Sequence, residues 1–190
     1  MTLPFRTLPG LEGIGALAQP VSGSVEITDI WRAKNAPYYR LDFKFNKARI
    51  PVTDGTTSGS YGSVKFFDFV EGAIIFLGSR QDYTAYVCDG TGVPNDTAFE
   101  IGVGTTAIAA AADGTLGNGV NENVGQAVTQ TLSSGTTTGT AVTGGTAVNG
   151  TATALDLNLN FSGSAATVDG DGTLDVTGTF SVTFAFMGDD

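Results

Sequence analysis

A chain of 190 residues is long enough for one domain with a full core, held without disulfides or metals. It has no histidine and a single cysteine, Cys88, which excludes Ser-His-Asp and Cys-His hydrolases, His-ligated zinc, intrachain disulfides and CxxC redox chemistry. The net charge of −10 is asymmetric: all nine bases lie in the first 80 residues against seven acids, and residues 81–190 carry twelve acids and no base, which argues against a nucleic-acid partner.

Residues 1–20 hold three Pro and three Gly among Leu3, Phe5, Leu8, Leu11, Ile14 and Leu17. This composition predicts an extended N-terminal arm. Two readings are open for its apolar residues: they fold back over their own domain, or they reach a neighbouring subunit or partner. No basic start followed by an apolar run marks a targeting segment, and no stretch approaches the ~20 apolar residues of a spanning helix, so no membrane partner is expected.

From residue 24 the pattern has period two. Residues 24–31 place Val25 and Ile27 on one side, with Asp29 next in the same alternation. Residues 37–46 alternate Tyr39, Leu41, Phe43 and Phe45 with Arg40, Asp42 and Lys44, which predicts a half-buried strand with a wet outer face. Six bases with Trp31, Tyr38 and Tyr39 over residues 31–49 resemble a basic-aromatic nucleic-acid surface, but the clean alternation favours an ordinary solvated face. Residues 49–53 form a short strand that Pro51 assigns to an edge. Strands follow at 63–69, 73–77, 83–88 and 99–103, with Phe66, Phe67, Phe69, Ile74, Ile75, Phe76 and Leu77 at the centre of the core.

The interval between Phe99 and Phe161 contains no aromatic residue and is rich in Thr, Gly, Ala and Val. Val124, Val128 and Leu132 fit a short helix or a loose strand, and residues 107–112 fit a helical turn. Such a tract gains little by packing within one domain, so the segment 105–150 is expected at a subunit interface. Further on, Leu155, Leu157, Leu159 and Phe161 alternate with polar residues, as do Leu174, Val176, Phe180, Val182, Phe184 and Phe186. The Gly/Ser/Asp-rich linker between them predicts an antiparallel hairpin with a long loop. Gly178 is expected to mark a bulge or a close approach of another backbone. The whole reads as all-β: an antiparallel β-sandwich of jelly-roll type over residues 21–190, preceded by the arm.

Few motifs carry chemistry. Asp169, Asp171 and Asp175 stand at positions 1, 3 and 7 of a calcium-type loop. The acid at position 5 and the Glu at position 12 are missing, so the preferred reading is a turn with a weak calcium candidate. No two carboxylates are paired by spacing for glycoside hydrolysis. Gly102-Val103-Gly104 lacks the third glycine of a dinucleotide loop. Cys88 reads as a buried thiol. No catalytic set, metal or cofactor is expected.

Two segments resemble the head decoration, or cement, proteins of tailed phages, particularly those of marine bacteria. One is residues 61–78, with Phe66-Phe67-Asp68-Phe69 and Glu71-Gly72 at its centre. The other runs from Gly150 through Leu155-Asp156 and Asn158-Leu159-Asn160-Phe161 to the terminal Gly188-Asp189. The resemblance covers residue 60 onward. It implies a non-enzymatic, β-rich virion protein on the outer capsid surface, made in the host cytoplasm. It would bind the major capsid protein and copies of itself, commonly as a homotrimer, and tie capsomers together. Leu3, Phe5, Arg6, Leu8 and Leu11 of the arm are the residues expected to touch the shell or a neighbouring copy. The alternative is a tail or fibre module that recognises host-surface glycans. It needs aromatic platforms near polar loops, whereas the aromatics here mostly alternate into strands and the longest loop region has none.

Overall fold

The computed structural model describes residues 13–34, 37–89, 92–93, 98–111, 115–116, 120–131, 142–150, 153–164 and 170–188. They form ten strands: β1 (Gly15–Leu17), β2 (Ser24–Arg32), β3 (Tyr38–Asp54), β4 (Ser60–Phe69), β5 (Gly72–Cys88), β6 (Ala98–Gly104), β7 (Gly125–Thr131), β8 (Val142–Gly150), β9 (Asp156–Gly163) and β10 (Gly172–Gly188). All pairings are antiparallel. The main path runs β7-β6-β9-β4-β3-β10-β5-β8, with β1 added on β4 and β2 on β3. The chain is therefore all-β and antiparallel, as its alternation predicts, and the sheet curls into a half-barrel.

The curl follows from how little joins its two halves. β3 carries β2 along one edge from Tyr39 to Asn46, then passes that edge to β4, which holds it only through Val52, Thr53 and Asp54. With so short a corner, the half built on β3, β10 and β5 folds over the half built on β4, β9 and β6. The far end comes round as well: the Ser79 hydroxyl of β5 donates to the Val124 carbonyl just before β7. Pro51 falls where this edge changes hands. The Arg49 N–H donates to the Ser22 carbonyl on that side. Two residues on, the proline ring takes the equivalent place beyond the end of the β2 ladder, so its missing donor removes no bond there.

Period-two alternation fills the space between the halves. Leu41, Phe43 and Phe45 from β3 are buried, as are Phe66, Phe67 and Phe69 from β4 and Phe180 and Phe184 from β10. Phe43 is the centre: its ring meets Phe66 at 5.1 Å and Phe67 at 5.5 Å edge-on, and Phe180 at 6.1 Å stacked. Phe66, Phe67 and Phe69 were expected in the core and lie there. Leu77, assigned to it by composition, is 40% exposed on the outer face.

Two pairs of short expected strands prove to be single long ones. Residues 37–46 and 49–53 are joined in β3 through Lys47, whose φ of 51° makes a local bulge. Opposite it the β10 register slips between Val176 and Gly178, and a Cβ on Gly178 would stand 2.5 Å from the Asp82 carbonyl oxygen and 2.6 Å from the Tyr83 Cα. Gly178 thus marks both a bulge and a close backbone approach. Likewise 73–77 and 83–88 are one strand, β5. The polar stretch between them is accommodated because Gln81 is buried and accepts a hydrogen bond from the Tyr83 hydroxyl at 2.6 Å. That burial pushes the Tyr83 phenol well above its ordinary pKa.

The expected hairpin of the last two strands does not form. β9 lies between β4 and β6, whereas β10 lies between β3 and β5. Each strand finds its partners far away in sequence. Near the start, Ile14 is buried and β1 pairs with Phe67–Phe69 of β4, so residues 14–18 fold back on their own domain. Leu3, Phe5, Arg6, Leu8 and Leu11 lie outside the described residues. Val128 lies in strand β7 and Val124 immediately before it, so neither is in a helix; Leu132 lies outside the described residues. Residues 107–111 form no helical turn: Ile108 is buried and its N–H donates to the Asn160 side chain.

Candidate interaction surface

Each polar motif singled out by sequence has a structural occupation. Of the calcium candidates, Asp171 accepts from the Asp54 N–H at 2.8 Å, and Asp175 is held by Arg49 through two hydrogen bonds of 2.7 and 2.9 Å. Asp169 lies outside the described residues. Among the described residues no three metal-ligating side chains converge. Cys88 is half-buried at the end of β5, against the edge of the core. Its place at a strand end, not inside, accounts for that exposure.

Gly102 and Gly104 serve packing. They face outward from β6, and their lack of side chains lets residues 105–111, 115–116 and 120–124 lie across the outside of β6, β9 and β4, with Leu116 against Gly102 and Asn121 against Gly104. Asn160 anchors this cover. Its Nδ2 donates to the carbonyls of Thr106 and Asn121, and its Oδ1 accepts from the Ile108 N–H and the Ser63 hydroxyl, at distances of 2.7 to 3.0 Å. One side chain therefore serves four groups, two of them in buried contacts, the Ile108 N–H and the Asn121 carbonyl; the Thr106 carbonyl also accepts from Asn121 Nδ2.

Beside this cover, Asp68 and Asp156 stand directly opposite each other on β4 and β9. Lys65 reaches both, at 2.7 and 3.7 Å. Partial burial raises the Asp156 carboxyl above its usual range, and the hydrogen bond to Asp68 adds to the rise while Lys65 opposes it. A raised carboxyl binds its proton more tightly folded than unfolded, so it weakens the fold at neutral pH and is relieved as pH falls through the raised value. Asp156→Asn is expected to raise the melting temperature at pH 7 by the equivalent of at most about 1 kcal/mol. The advantage should vanish below about pH 4, where both states of the wild type are protonated. Thermal melts between pH 3 and pH 8 check this (~ range set by the ordinary carboxylate values); a gain independent of pH would refute it.

The other half of the sheet presents an open outer face, ordered by cross-strand register. Trp31, Arg40 and Thr183 lie side by side on β2, β3 and β10. The next row on one side is Asp29, Asp42 and Ser181; on the other, Tyr38 neighbours Ala185 and, beyond it, Ile75 of β5. Trp31 is 53% and Tyr38 44% exposed. Arg40 holds Asp42 through two parallel hydrogen bonds of 2.9 and 2.8 Å, and Arg80 holds Asp82 at 2.7 Å. Of the six bases over residues 31–49, Arg40 and Arg49 are paired with carboxylates, and Tyr39 of the same stretch points into the core. Alternation alone placed Tyr38 on the wet face with Arg40; that Trp31 joins them was hidden, because it depends on the β2–β3 register.

Charge is absent from a second region. Residues 123–155 contain no Asp, Glu, Lys or Arg. The segment includes β7 and β8, the two terminal strands of the main sheet path, and among the described residues each pairs along one edge only, β7 with β6 and β8 with β5. Among the described residues no helix is long and apolar enough to cross a membrane. Comparison with protein-family models, with curated proteins and with solved structures gave no match.

Proposed function

We propose that this chain is a non-enzymatic structural protein that coats the outer surface of a tailed-phage capsid, binding the major capsid protein and copies of itself and so cementing neighbouring capsomers. The observation that carries this reading is the charge-free segment 123–155, which supplies both terminal strands of an otherwise acidic all-β body. Copies of a protein with net charge −10 repel one another, and this segment is where they can meet without opposing charges. Among the described residues the outer edges of β7 and β8 carry no partner strand, charge or proline, which favours strand pairing between subunits. The resemblance of residues 61–78 and 150–189 to phage decoration proteins supports the partner and the location, on the virion after synthesis in the host cytoplasm. A homotrimer and a sandwich of jelly-roll type are the finer assignments it suggests.

In this reading the contact with the shell or a neighbour is made by Leu3, Phe5, Arg6, Leu8 and Leu11. Deleting residues 1–12 spares Ile14 and β1, so the body is expected to keep its unfolding midpoint while losing at least about tenfold in affinity for capsids, the equivalent of about 1.4 kcal/mol. Co-sedimentation with particles measures this, and full retention of binding would remove the arm from the interface. The function itself is tested by the copy number of the chain relative to the major capsid protein in purified particles. Near-equal abundance supports it, and absence from particles overturns it.

A further inference from the structure

We propose that the outer face of β2, β3 and β10 around Trp31 and Tyr38 is a binding platform for neutral polysaccharide chains. This goes beyond the coat-protein reading and does not depend on it. A pyranose ring offers two kinds of surface, an apolar C–H face and an edge of hydroxyls that both donate and accept. The platform offers the counterpart of each.

For the apolar face there are two half-exposed aromatic rings. Trp31 stands beside Arg40 across a strand pair, and Tyr38 lies two residues along β3 from Arg40, about 7 Å away at the strand rise. Rings held this way on a sheet lose little conformational freedom when a flat apolar surface stacks on them. For the hydroxyl edge, Arg40 and Asp42 form a planar fork already fixed by two hydrogen bonds, with the Thr183 hydroxyl alongside. The Arg40 side chain is 52% exposed and keeps donor hydrogens after its bidentate pair, whereas Asp42 is only 15% exposed. The guanidinium can donate to a diol and the Thr183 hydroxyl can accept, without the fork being broken.

Charge selects among the possible occupants. Because Arg40 and Asp42 neutralise each other, a charged ligand would have to compete with their ion pair, whereas an uncharged one would not. The net charge of −10 further disfavours anionic polymers. A protein partner fits less well, since the centre of a protein interface is depleted of charged residues and here the centre is occupied by a fixed ion pair.

The test uses the full-length protein in native gels cast separately with hydroxyethylcellulose, galactomannan, laminarin or the anionic polymer alginate. Retardation in at least one neutral gel is expected. Trp31→Ala should weaken it about tenfold, and Tyr38→Ala should also weaken it, while Val21→Ser, on an exposed residue away from the face, leaves it unchanged. Unfolding midpoints of all three variants should match the wild type, which separates loss of binding from loss of fold. No retardation in any neutral gel would overturn the proposal, as would retardation by alginate alone or an unaltered Trp31→Ala. Loss of self-association in Trp31→Ala without polysaccharide retention would likewise overturn it and give the face to a second copy.

Discussion

Asn160→Ala is expected to release residues 105–111 and 120–124 from the outside of the sheet and to lower stability by about 3 kcal/mol, since each buried group left unpaired costs about 1–3 kcal/mol. The buried Ile108 N–H and the Asn121 carbonyl lose their bond to this side chain, while the part-buried Ser63 hydroxyl can turn to water and the Thr106 carbonyl keeps Asn121 Nδ2 as a donor. The backbone pairing of β9 with β4 and β6 does not use this side chain, so the body should stay folded at low denaturant. Hydrogen exchange should quicken at Ile108 and along the cover, while β4 and β9 keep their protection. Urea unfolding gives the energy. Unchanged exchange at Ile108 would show that apolar contacts such as Leu116 on Gly102 hold the cover by themselves.

Phe43→Ala should cost about 3–5 kcal/mol, the range for removing a large ring from a packed interior. The position is chosen because its ring touches β4 and β10 together, bridging the two halves of the curl through Phe66, Phe67 and Phe180. Edge-on pairs add about 0.5–1.5 kcal/mol beyond area burial, so Phe43→Leu should recover part of the loss but not all. For a chain of this size the alanine variant should melt roughly 10 °C lower or more. A shift of a degree or two would mean that the two halves are joined by the β3–β4 corner more than by the aromatic cluster.

How much of this was legible in the residues varies by element. Strict alternation located the buried faces of β3, β6, β9 and β10 because side chains in a strand must take turns, whatever the partner. Continuity was harder. Nothing local distinguishes the bend at Lys47 from a turn, and Gly78-Ser79-Arg80-Gln81-Asp82 has the composition of a loop. It stays extended because Tyr83 and Gln81 satisfy each other in the interior, a pairing visible only in three dimensions. The absent hairpin between β9 and β10 has the same origin: neighbouring strands in sequence need not be neighbours in a sheet. A signal did exist in β9. Its polar side carries Asn158 and Asn160 in place of charged residues, and both are buried, as suits a central strand covered on both faces. The candidate platform was half legible: alternation turned Tyr38 outward, but only register brings Trp31 beside it.

The place of β10 in the sheet has a consequence for how the protein is made. β3 and β5 never touch along their long edges, because β10 lies between them, and β10 is the last of the ten strands to leave the ribosome. At about 5–20 residues per second, the 84 positions separating Cys88 from Gly172 keep the nascent chain waiting roughly 4–17 s. Throughout that interval Phe43, Phe45, Ile74 and Phe76 have no β10 to lie beside, and two long aromatic strands stand with open edges. Growth of the chain is then a race between completion and clumping with its neighbours. β8 is made during that wait and pairs with the other edge of β5, so one edge of the waiting strands is covered before β10 arrives.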